Sequence, residues 1–367
     1  MRYYFCYLFF LLSAALVIAQ PSYTDVFVSG QEGYHTYRIP SVVITLRGTL
    51  LAFAEARTTQ NDHAQNDLVL KTSEDQGQSW SEIKVLAKAG EASLNNPQAV
   101  VLNKGRVLLI YQKYPPEGGE HYVKPGYEGD DVCRTYLIYS DDEGQTWSAP
   151  REITRSVKRP TYATSTAAGP GVGIQIQKGP YQGRIIMPFN QGPYGRWMVY
   201  AAYSDDNGQS WAYGEVAFPL VEGMANEVQV VERIDGSLLL NARSMGAGKY
   251  RKIASSEDGG QNWSGFQNDS SLIESRCQAS IIRHSWQPSI IAFANPATQE
   301  GRHTGTIRLS YDEGQTWPVS KLVYKKSFAY SCLVSVDTDT LGLLFEADNY
   351  ERIVFGRFSL DWLQTQD

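Results

Sequence analysis

One eight-residue pattern, Ser-x-Asp-x-Gly-x-x-Trp, occurs five times in this chain, at residues 73–80, 140–147, 204–211, 256–263 and 310–317. Its aspartate can accept backbone N–H groups across a tight turn, and the glycine that follows can adopt a positive φ without a Cβ penalty. The tryptophan is large enough to hold the turn between neighbouring sheets, and its single N–H needs one acceptor. A turn motif repeated in this way predicts an array of similar β units.

The spacing of the motif indicates the size of each unit. Successive copies begin 67, 64, 52 and 54 residues apart, which is close to what a four-stranded antiparallel sheet with its loops requires. The runs between them are short, rich in β-forming residues and bounded by Gly, Pro, Asn and Asp. At a mean spacing of about 59 residues, the chain beyond its N-terminal segment accommodates about six units. We therefore predict an all-β fold, a six-bladed propeller of four-stranded antiparallel sheets with five of these turns.

One of the predicted units lacks the motif. The C-terminal part of the chain offers that unit three strand-like runs, at residues 333–336, 341–345 and 353–358. Its fourth strand must come from elsewhere, and we predict that the N-terminal run at residues 25–28 supplies it. This pairing would close the ring and leave no long unpaired sheet edge.

The N-terminus has the features of a secretory signal peptide. Arg2 precedes an apolar stretch at about residues 5–18, and Ala19 supplies the small residue expected before a cleavage site. We predict a signal peptide at residues 1–19, a single propeller domain at residues 20–367, and a secreted or periplasmic protein. The alternative is an uncleaved membrane anchor, although the apolar stretch is short for a bilayer span.

Composition limits the partners of the chain. The net charge is −6 and no basic run is present, which argues against binding of nucleic acid, so an acidic substrate would need a local cluster of cations. Five histidines without paired spacing do not make a zinc site, and we predict neither a metal nor an organic cofactor.

Beyond the signal peptide the cysteines are Cys133, Cys277 and Cys332, so at most one internal disulfide can form and the fold does not depend on a disulfide framework.

The first predicted blade opens with Tyr-Arg-Ile-Pro at residues 37–40, where an arginine beside an extended X-Pro unit can project toward the propeller axis. With this four-residue motif and the repeated turns, the chain resembles the exo-α-sialidase (neuraminidase) family, in particular the bacterial-type secreted sialidases. The similarity continues to the last strands. In that family three arginines bind the carboxylate of sialic acid, and the resemblance gives this role to Arg38, Arg243 and Arg302. Paired guanidinium donors match a carboxylate well. Arg308 lies close to Arg302 in sequence, but we expect it to have a structural role.

A carboxylate on the reacting carbon disfavours an acidic nucleophile, because two negative charges would meet before any bond forms. A neutral phenol avoids this repulsion, and sialidases with a tyrosine nucleophile are an exception among glycosidases. The resemblance implies that Tyr330 is this nucleophile, since it follows the fifth turn motif in Ser-Phe-Ala-Tyr-Ser-Cys-Leu. A phenol with a pKa of about 10 needs a base against its hydroxyl, and Glu227 matches the glutamate of the family.

The departing sugar needs a proton from an acid that can exchange with water, and therefore from an exposed loop. Asp62 lies in such a polar loop and matches the acid/base aspartate of the family, while Asp67 in the same loop is its rival. The resemblance gives two supporting roles. Glu346 resembles the glutamate that orients the first arginine, and Arg57 resembles a pocket residue near O4 of the sugar, with a purely structural ion pair as the alternative.

The resemblance thus implies a retaining exo-α-sialidase that removes terminal sialic acid from glycoconjugates through a tyrosyl-enzyme intermediate, with residues 20–367 as the catalytic domain. Sialylated glycans are the expected partners, without nucleic acid and without stable membrane insertion after cleavage of the signal peptide. Three alternatives on the same fold stay open. They are a trans-sialidase, including the intramolecular kind, a hydrolase for deaminated nonulosonic acids, and a non-catalytic propeller that binds glycans or proteins.

Overall fold

The computed structural model describes residues 18–116, 119–246 and 249–365. Nearly all of its regular structure is β-strand, which confirms the predicted all-β fold. The predicted signal peptide lies outside the described residues except for its last two positions. Within the described residues, no helix has the length and apolar character needed to cross a bilayer.

The strands form sheets that we number as blades in chain order. Blade 1 contains β2 (Thr36–Ile44), β3 (Leu50–Arg57), β4 (Asn66–Ser73) and β5 (Lys84–Ala87), and blade 2 contains β6 (Ser93–Val101), β7 (Val107–Tyr114), β8 (Arg134–Ser140) and β9 (Arg151–Glu152). Helix α1 (Thr154–Val157) leads to blade 3, which contains β10 (Thr166–Ala168), β12 (Ile174–Gln175), β13 (Ile185–Gln191), β14 (Met198–Ser204) and β15 (Ala212–Tyr213), whereas the intervening β11 (Gly171–Val172) pairs in parallel with β6.

The second half of the described chain follows the same plan. Blade 4 contains β16 (Met224–Glu232), β17 (Leu238–Met245), β18 (Tyr250–Ser256) and β19 (Gln267–Ile273). A seven-stranded sheet follows, made of β20 (Ser280–Trp286), β21 (Ser289–Pro296), β22 (His303–Ser310), β23 (Val319–Ser335), β24 (Thr340–Ala347), β25 (Arg352–Ser359) and the N-terminal β1 (Ser22–Val28). The long β23 pairs with β22 along its first half and with β24 along its second, so this sheet comprises blade 5 and blade 6. A 3₁₀ helix (Asp348–Tyr350) separates β24 from β25, and α2 (Leu360–Leu363) follows β25.

The innermost strands of the blades contact one another in a closed sequence. Strand β2 contacts β6, β6 contacts β10 and β12, β13 contacts β16, β16 contacts β20, and β23 returns to β2. Apolar side chains fill the spaces between neighbouring sheets. The described blades therefore surround a common axis, as a propeller requires.

The ring is closed by the N-terminal strand, as the sequence predicted. Strand β1 pairs antiparallel with β25, and it begins three residues before the predicted run at Asp25. The Phe27 ring of β1 is fully buried and stacks on the Tyr37 ring of blade 1, with 5.2 Å between ring centroids. The first strand therefore completes blade 6 and packs it against blade 1.

The repeated motif forms the same hydrogen-bonded turn in each copy. In all five the serine Oγ accepts the glycine N–H at 2.8–2.9 Å, and an oxygen of the aspartate accepts the N–H four residues further on at 2.8–2.9 Å. The glycine φ angles lie between 83° and 87°. In the second copy the hydroxyl of Thr146, with further hydrogen bonds, lowers the pKa of Asp142 to about 2. The motif is therefore a self-contained turn whose aspartate is a structural acceptor.

The tryptophan N–H groups of the motif are satisfied only in part. Trp147 and Trp211 donate to the carbonyl of the motif glycine at 3.0 and 3.1 Å. The Nε1 atoms of Trp80, Trp263 and Trp317 have no acceptor among the described residues. The indoles instead act mainly through packing, because apolar area contributes most of the stabilisation by a buried indole.

Gly77 shows why the motif needs glycine. Its φ is 87°, and an added Cβ would lie 2.3 Å from the ring of Phe355 in blade 6. We expect Gly77→Ala to destabilise the protein by about 2–5 kcal/mol, from about 1–2 kcal/mol for the backbone and about 1–3 kcal/mol for overpacking. Gly48 has a φ of 90°, but a Cβ added there would meet nothing within 4 Å, so Gly48→Ala should show the backbone cost alone. Urea unfolding of both variants measures the difference, and equal losses would contradict this account.

All three cysteines in the described residues are buried and free. Cys133 lies between β7 and β8, Cys277 lies between β19 and β20, and Cys332 lies on β23, and no disulfide connects them. The fold is held by blade packing and hydrogen bonds, in line with the expectation that it does not depend on a disulfide framework.

Candidate active site

A polar cavity of about 610 Å³ opens at the end of the axis where the inner strands β2, β6 and β16 begin. Seven of the eight residues predicted for the site line it, namely Arg38, Arg57, Asp62, Glu227, Arg243, Arg302 and Tyr330. The eighth, Glu346, is buried directly behind Arg38. The structure therefore brings together residues that are up to 308 positions apart in sequence.

A second cavity of about 330 Å³ lies at the opposite ends of the same inner strands. Its walls include Val42, Val101, Ile174, Ile282 and Val334. Polar residues such as Gln175, Glu232 and Arg283 also line it, but none of the residues predicted for the site does. The candidate active site is therefore the polar cavity.

Three guanidinium groups from three blades converge on one phenol. The Cζ atoms of Arg38 and Arg302 lie 5.4 and 5.3 Å from the centre of the Tyr330 ring. Arg243 donates from Nη1 to the Tyr330 hydroxyl at 3.1 Å. An anionic group placed above this ring could therefore contact all three cations at once.

Backbone irregularities of the inner strands place these side chains. The pairing register shifts between Arg38 and Ser41, between Asn95 and Gln98, between Ala225 and Val228, and between Phe328 and Ser331. Each shift is a β-bulge or a comparable irregularity, which redirects a side chain from the strand. In blades 1 and 2 the shift includes a proline, which cannot donate to the ladder. The bulges turn residues of four inner strands into the cavity.

Glu227 and Tyr330 form the central hydrogen-bonded pair. The Tyr330 hydroxyl donates to Oε1 of Glu227, and Arg243 donates to Oε2 of the same carboxylate at 2.8 Å. Burial, followed by the negative charge of Glu227, raises the pKa of Tyr330 well above its usual value, against the opposing effect of Arg243 and Arg302. The resting phenol is therefore protonated, with a carboxylate in position to accept its proton.

Glu346 fixes both the first arginine and the tyrosine. Its Oε1 atom accepts the Nε–H of Arg38 at 2.5 Å and the backbone N–H of Ile39 at 2.9 Å. Its Oε2 atom accepts the backbone N–H of Tyr330 at 3.2 Å. The predicted orienting contact to Arg38 is thus present in the structure, and the contact to Tyr330 is an addition that the sequence did not indicate.

Asp62 lies at the mouth of the cavity with 70% of its side chain exposed. Its Oδ1 atom accepts a hydrogen bond from Nη1 of Arg57 at 2.6 Å and lies 3.7 Å from Nη1 of Arg38. Its backbone carbonyl accepts the side-chain amides of Asn66 and Asn95 at 2.8 and 2.9 Å. Partial burial alone would raise the pKa of Asp62, but the Arg57 guanidinium outweighs it and the pKa is lowered.

Asp67 and Arg308, which lie close in sequence to Asp62 and Arg302, make structural contacts. Asp67 accepts a hydrogen bond from the Tyr34 hydroxyl at 2.8 Å and another from the Ala89 N–H at 2.7 Å. It therefore connects the beginning of β4 to the segments that contain these two residues. Arg308 is buried and donates to the side chain of Asn295 at 3.0 Å. Neither residue is part of the cavity wall.

A buried acid beside Arg57 was missed by sequence reasoning. Glu55 and Arg57 are almost fully buried, and Oε2 of Glu55 accepts two hydrogen bonds from the guanidinium at 2.9 and 2.5 Å. Its Oε1 atom accepts the backbone N–H of Asn96 at 2.8 Å. The signal was available, because residues i and i+2 of a strand share one face. Glu55 therefore fixes Arg57, which in turn reaches Asp62.

We expect Glu55→Gln to destabilise the protein by about 3 kcal/mol, because it removes the charge that compensates a buried guanidinium. Arg57 should also lose its fixed orientation, which raises KM for any ligand that it contacts. Urea unfolding and steady-state kinetics measure the two effects. Glu74 is exposed on the same blade, so Glu74→Gln is the matched control and should leave both quantities unchanged. A stable Glu55→Gln protein would show that the pair contributes little.

Two further cavity residues were not predicted. Tyr350, from the 3₁₀ helix, accepts a hydrogen bond from Nη1 of Arg302 at 2.9 Å, and its ring centre lies 4.0 Å from Cζ of Arg38. Glu120 follows β7 and accepts the Nε1–H of Trp197 at 3.3 Å. Nothing in the sequence marked these loop residues, because their roles depend on contacts between distant blades.

Known proteins resemble the chain in both sequence and structure. The model of the BNR repeat-like domain family matches residues 48–343. A sialidase of Micromonospora viridifaciens is 35% identical over 94% of this chain and 55% of its own length, and a sialidase of Bacteroides fragilis is 30% identical over 87% of this chain and 61% of its own. The solved structure of a Hadza microbial sialidase has a TM-score of 0.82 and 28% identity, and the match covers 91% of this chain and 67% of that one.

These similarities define the class of protein. The chain belongs to the BNR repeat-like family, within the group formed by the exo-α-sialidases. It spans little more than half the length of the two curated relatives named above.

Proposed function

We propose that the protein is a retaining exo-α-sialidase that removes terminal sialic acid from glycoconjugates. The observation that carries the proposal is the convergence of Arg38, Arg243 and Arg302 on a tyrosine whose hydroxyl donates a hydrogen bond to Glu227. Such a site combines a binding place for a carboxylate with an activated neutral nucleophile. Its sialidase relatives support the same reading.

In this mechanism Tyr330 attacks the anomeric carbon while Glu227 takes its proton. The substrate carboxylate lies against the three guanidiniums, and the neutral phenol approaches it without charge repulsion. Arg243 contacts both the carboxylate of Glu227 and the phenol, so it stabilises the charge that develops on this pair. The bond from the anomeric carbon to the leaving oxygen breaks as the bond to the phenol oxygen forms.

Asp62 acts as the acid and then as the base. The resting Asp62 is ionised beside Arg57, so the incoming substrate must loosen this ion pair for Asp62 to carry a proton. The exposed side chain can take this proton from solvent before the first step, and transfer of the proton to the leaving oxygen leaves Asp62 as the carboxylate that the second step needs. In the second step Asp62 deprotonates the water that releases the sugar from Tyr330 with net retention.

Incubation with sialyllactose isomers tests the reaction itself. Mass spectrometry should show free sialic acid and lactose, and proton NMR at early times should show the α anomer of the sugar. A product lighter by one water would indicate an intramolecular trans-sialidase, and a new sialoside in the presence of excess lactose would indicate transfer. Turnover only of a deaminated substrate would indicate the hydrolase alternative. Absence of any product would leave a binding propeller and overturn the proposal.

We further propose that residues 1–19 direct the protein out of the cytoplasm, which places the enzyme where sialylated glycans occur. The support is the order of Arg2, an apolar stretch and Ala19 in the sequence. N-terminal sequencing of the exported protein should begin at Gln20. An intact N-terminus on a membrane-bound product would favour the anchor alternative.

A further inference from the structure

The guanidinium of Arg243 is paired with an acid that changes its own charge during the proposed reaction. Its carboxylate partner is Glu227, which takes the proton of Tyr330 in that reaction, so this contact cannot hold the arginine at every step. The buried Nε atom of Arg243 has no acceptor among the described residues. The backbone that carries Arg243 therefore has to keep the guanidinium in place.

That backbone lies where strand pairing is interrupted on both sides. Strand β16 pairs with β17 through a register shift between Ala225 and Val228, and Arg243 lies opposite this shift. On the other side, the ladder between β17 and β18 extends only to the pair of Ala242 and Lys252, one residue before Arg243. A strand end beyond its ladder moves more easily, and its buried N–H groups need other acceptors.

A buried ion pair supplies the missing contact. Glu274, the residue after β19, accepts the backbone N–H of Ser244 on Oε1 at 2.9 Å and the Nη1–H of Arg251 on Oε2 at 2.7 Å. The backbone N–H of Glu274 donates to the carbonyl of Lys249 at 3.0 Å. The side chains of Glu274 and Arg251 are 1% and 0% exposed. The peptide N–H that follows Arg243 is therefore held by a carboxylate instead of a ladder bond.

Arg251 connects this carboxylate to the rest of the site from outside the cavity wall. Its Nε atom donates to Oδ1 of Asn241 at 2.7 Å, and its Nη1 atom donates to the carbonyl of Cys277 at 2.8 Å. Asn241 lies on β17 two residues before Arg243, and Cys277 belongs to the small buried cluster that contains Tyr330. The ion pair thus joins the segment of Arg243 to the surroundings of the phenol.

We infer that Glu274 and Arg251 are positioning residues that hold Arg243 where the reaction requires it. The inference rests on the proposed function and adds to it a pair of residues that never touches the substrate. An ion pair with a structural role alone would change only stability. A positioning pair also changes KM and kcat, because a small displacement of a guanidinium weakens its charge-assisted hydrogen bonds to the substrate and to the nucleophile.

The first test is Glu274→Gln, assayed on a fluorogenic aryl sialoside. The amide can still accept one hydrogen bond, but it no longer compensates the charge of Arg251. We expect kcat/KM to fall about tenfold or more. KM should rise, and kcat should fall even after the active sites are counted with a fluorinated sialic acid substrate. A loss of folded protein alone would lower the number of active sites and leave KM unchanged.

Glu313 provides the matched control. It accepts the guanidinium of Arg283 and the backbone N–H of Ile234, so its contacts are of the same two kinds as those of Glu274. Arg283 lines the second cavity, at the opposite ends of the inner strands. Glu313→Gln should therefore lower the stability to urea but leave KM and kcat of the folded enzyme unchanged.

A double-mutant cycle shows whether the pair acts through Arg243. Arg243→Lys keeps a positive charge but loses the planar fork, whose paired hydrogen bonds require a fixed backbone. In this background Glu274→Gln should lower kcat/KM by less than about threefold, because the two substitutions act on the same contact. In an Arg38→Lys background it should keep its full effect of about tenfold. Equal losses in the wild type and in both backgrounds would indicate general damage and overturn the inference.

Replacement of the whole pair separates the kinetic effect from the cost of an unpaired charge. Arg251→Met combined with Glu274→Leu removes both buried charges, which proteins often tolerate in stability, but the Ser244 N–H loses its acceptor. We expect a protein with a cooperative urea transition and the same rise in KM. A double variant that does not fold, or that folds with wild-type kinetics, would overturn the inference while the wild type remains an active sialidase. A wild-type protein that releases no sugar would instead overturn the proposed function and the inference with it.

Discussion

Replacement of Tyr330 by phenylalanine should lower kcat for an aryl sialoside by about 10³-fold or more, because the nucleophile disappears while the binding groups remain. The three guanidiniums still surround the ring, and the substitution removes only the hydroxyl that donates to Glu227 and accepts from Arg243. KM should therefore change far less than kcat. Steady-state kinetics on the purified variant, with its folding checked by circular dichroism, measures both parameters.

A control tyrosine separates the chemistry from general effects of the substitution. Tyr139 is 37% exposed on β8 and is not part of the cavity wall, so Tyr139→Phe should retain wild-type kinetics. Mass spectrometry after rapid quenching with a fluorinated sialic acid substrate should also find the sugar on the peptide that contains Tyr330 in the wild type. A Tyr330→Phe enzyme with wild-type kcat, or a label on another peptide, would refute the assignment of the nucleophile.

The charges of the cavity explain why it would bind an anion. Arg38 is paired with Glu346, Arg57 with Glu55, and Arg243 with Glu227. Among the described residues, the hydrogen bonds of Arg302 go to the Tyr350 hydroxyl and weakly to a backbone carbonyl, and no carboxylate forms an ion pair with it. A substrate carboxylate would therefore supply the missing counter-charge of Arg302, while the other two arginines offer their remaining donors.

The repeated turns could be predicted from sequence because each one is a local structure. Serine, aspartate and glycine within eight residues satisfy one another, so their pattern is independent of the rest of the chain. Closure by the N-terminal strand could also be inferred, since the last unit lacked one strand. The bulges that direct residues such as Arg38 and Glu227 into the cavity could not, because a register shift depends on how a strand pairs with its neighbour.

The residues of the candidate site also differ in how far the sequence alone could identify them. Residues that match sequence motifs of a known family, such as Arg38 and Tyr330, could be named before their geometry was known. Glu55 had a local signal that was missed, since it shares a strand face with Arg57, whereas Glu120 had none because it contacts Trp197 of a different blade. Composition also gave no sign that three of the arginines would be paired with acids, two of which are buried. A partner such as Glu346, which is 308 positions from Arg38, becomes visible only when distant segments pack together.

Replacement of Asp62 by asparagine should reduce kcat/KM for sialyllactose by about 10²- to 10⁴-fold, the usual contribution of a general acid and base. The effect should depend on the leaving group, because a nitrophenolate departs without protonation whereas a sugar alcohol does not. We therefore expect a much smaller loss of kcat/KM on a nitrophenyl sialoside. Parallel kinetics on the two substrates give the ratio, and equal losses on both would contradict the role of acid.

Asp67 makes the comparison decisive, since it is the other carboxylate of the same segment. Its contacts to Tyr34 and Ala89 are structural, so Asp67→Asn should lower the free energy of unfolding by about 1–3 kcal/mol and leave the kinetics of the folded enzyme unchanged. Asp62 has an exposed side chain, and its replacement should affect catalysis with little cost in stability. The opposite result, with a leaving-group dependence at Asp67, would move the acid to that residue. The two variants thus separate a carboxylate that transfers protons from one that holds a loop, although the two residues are only five positions apart.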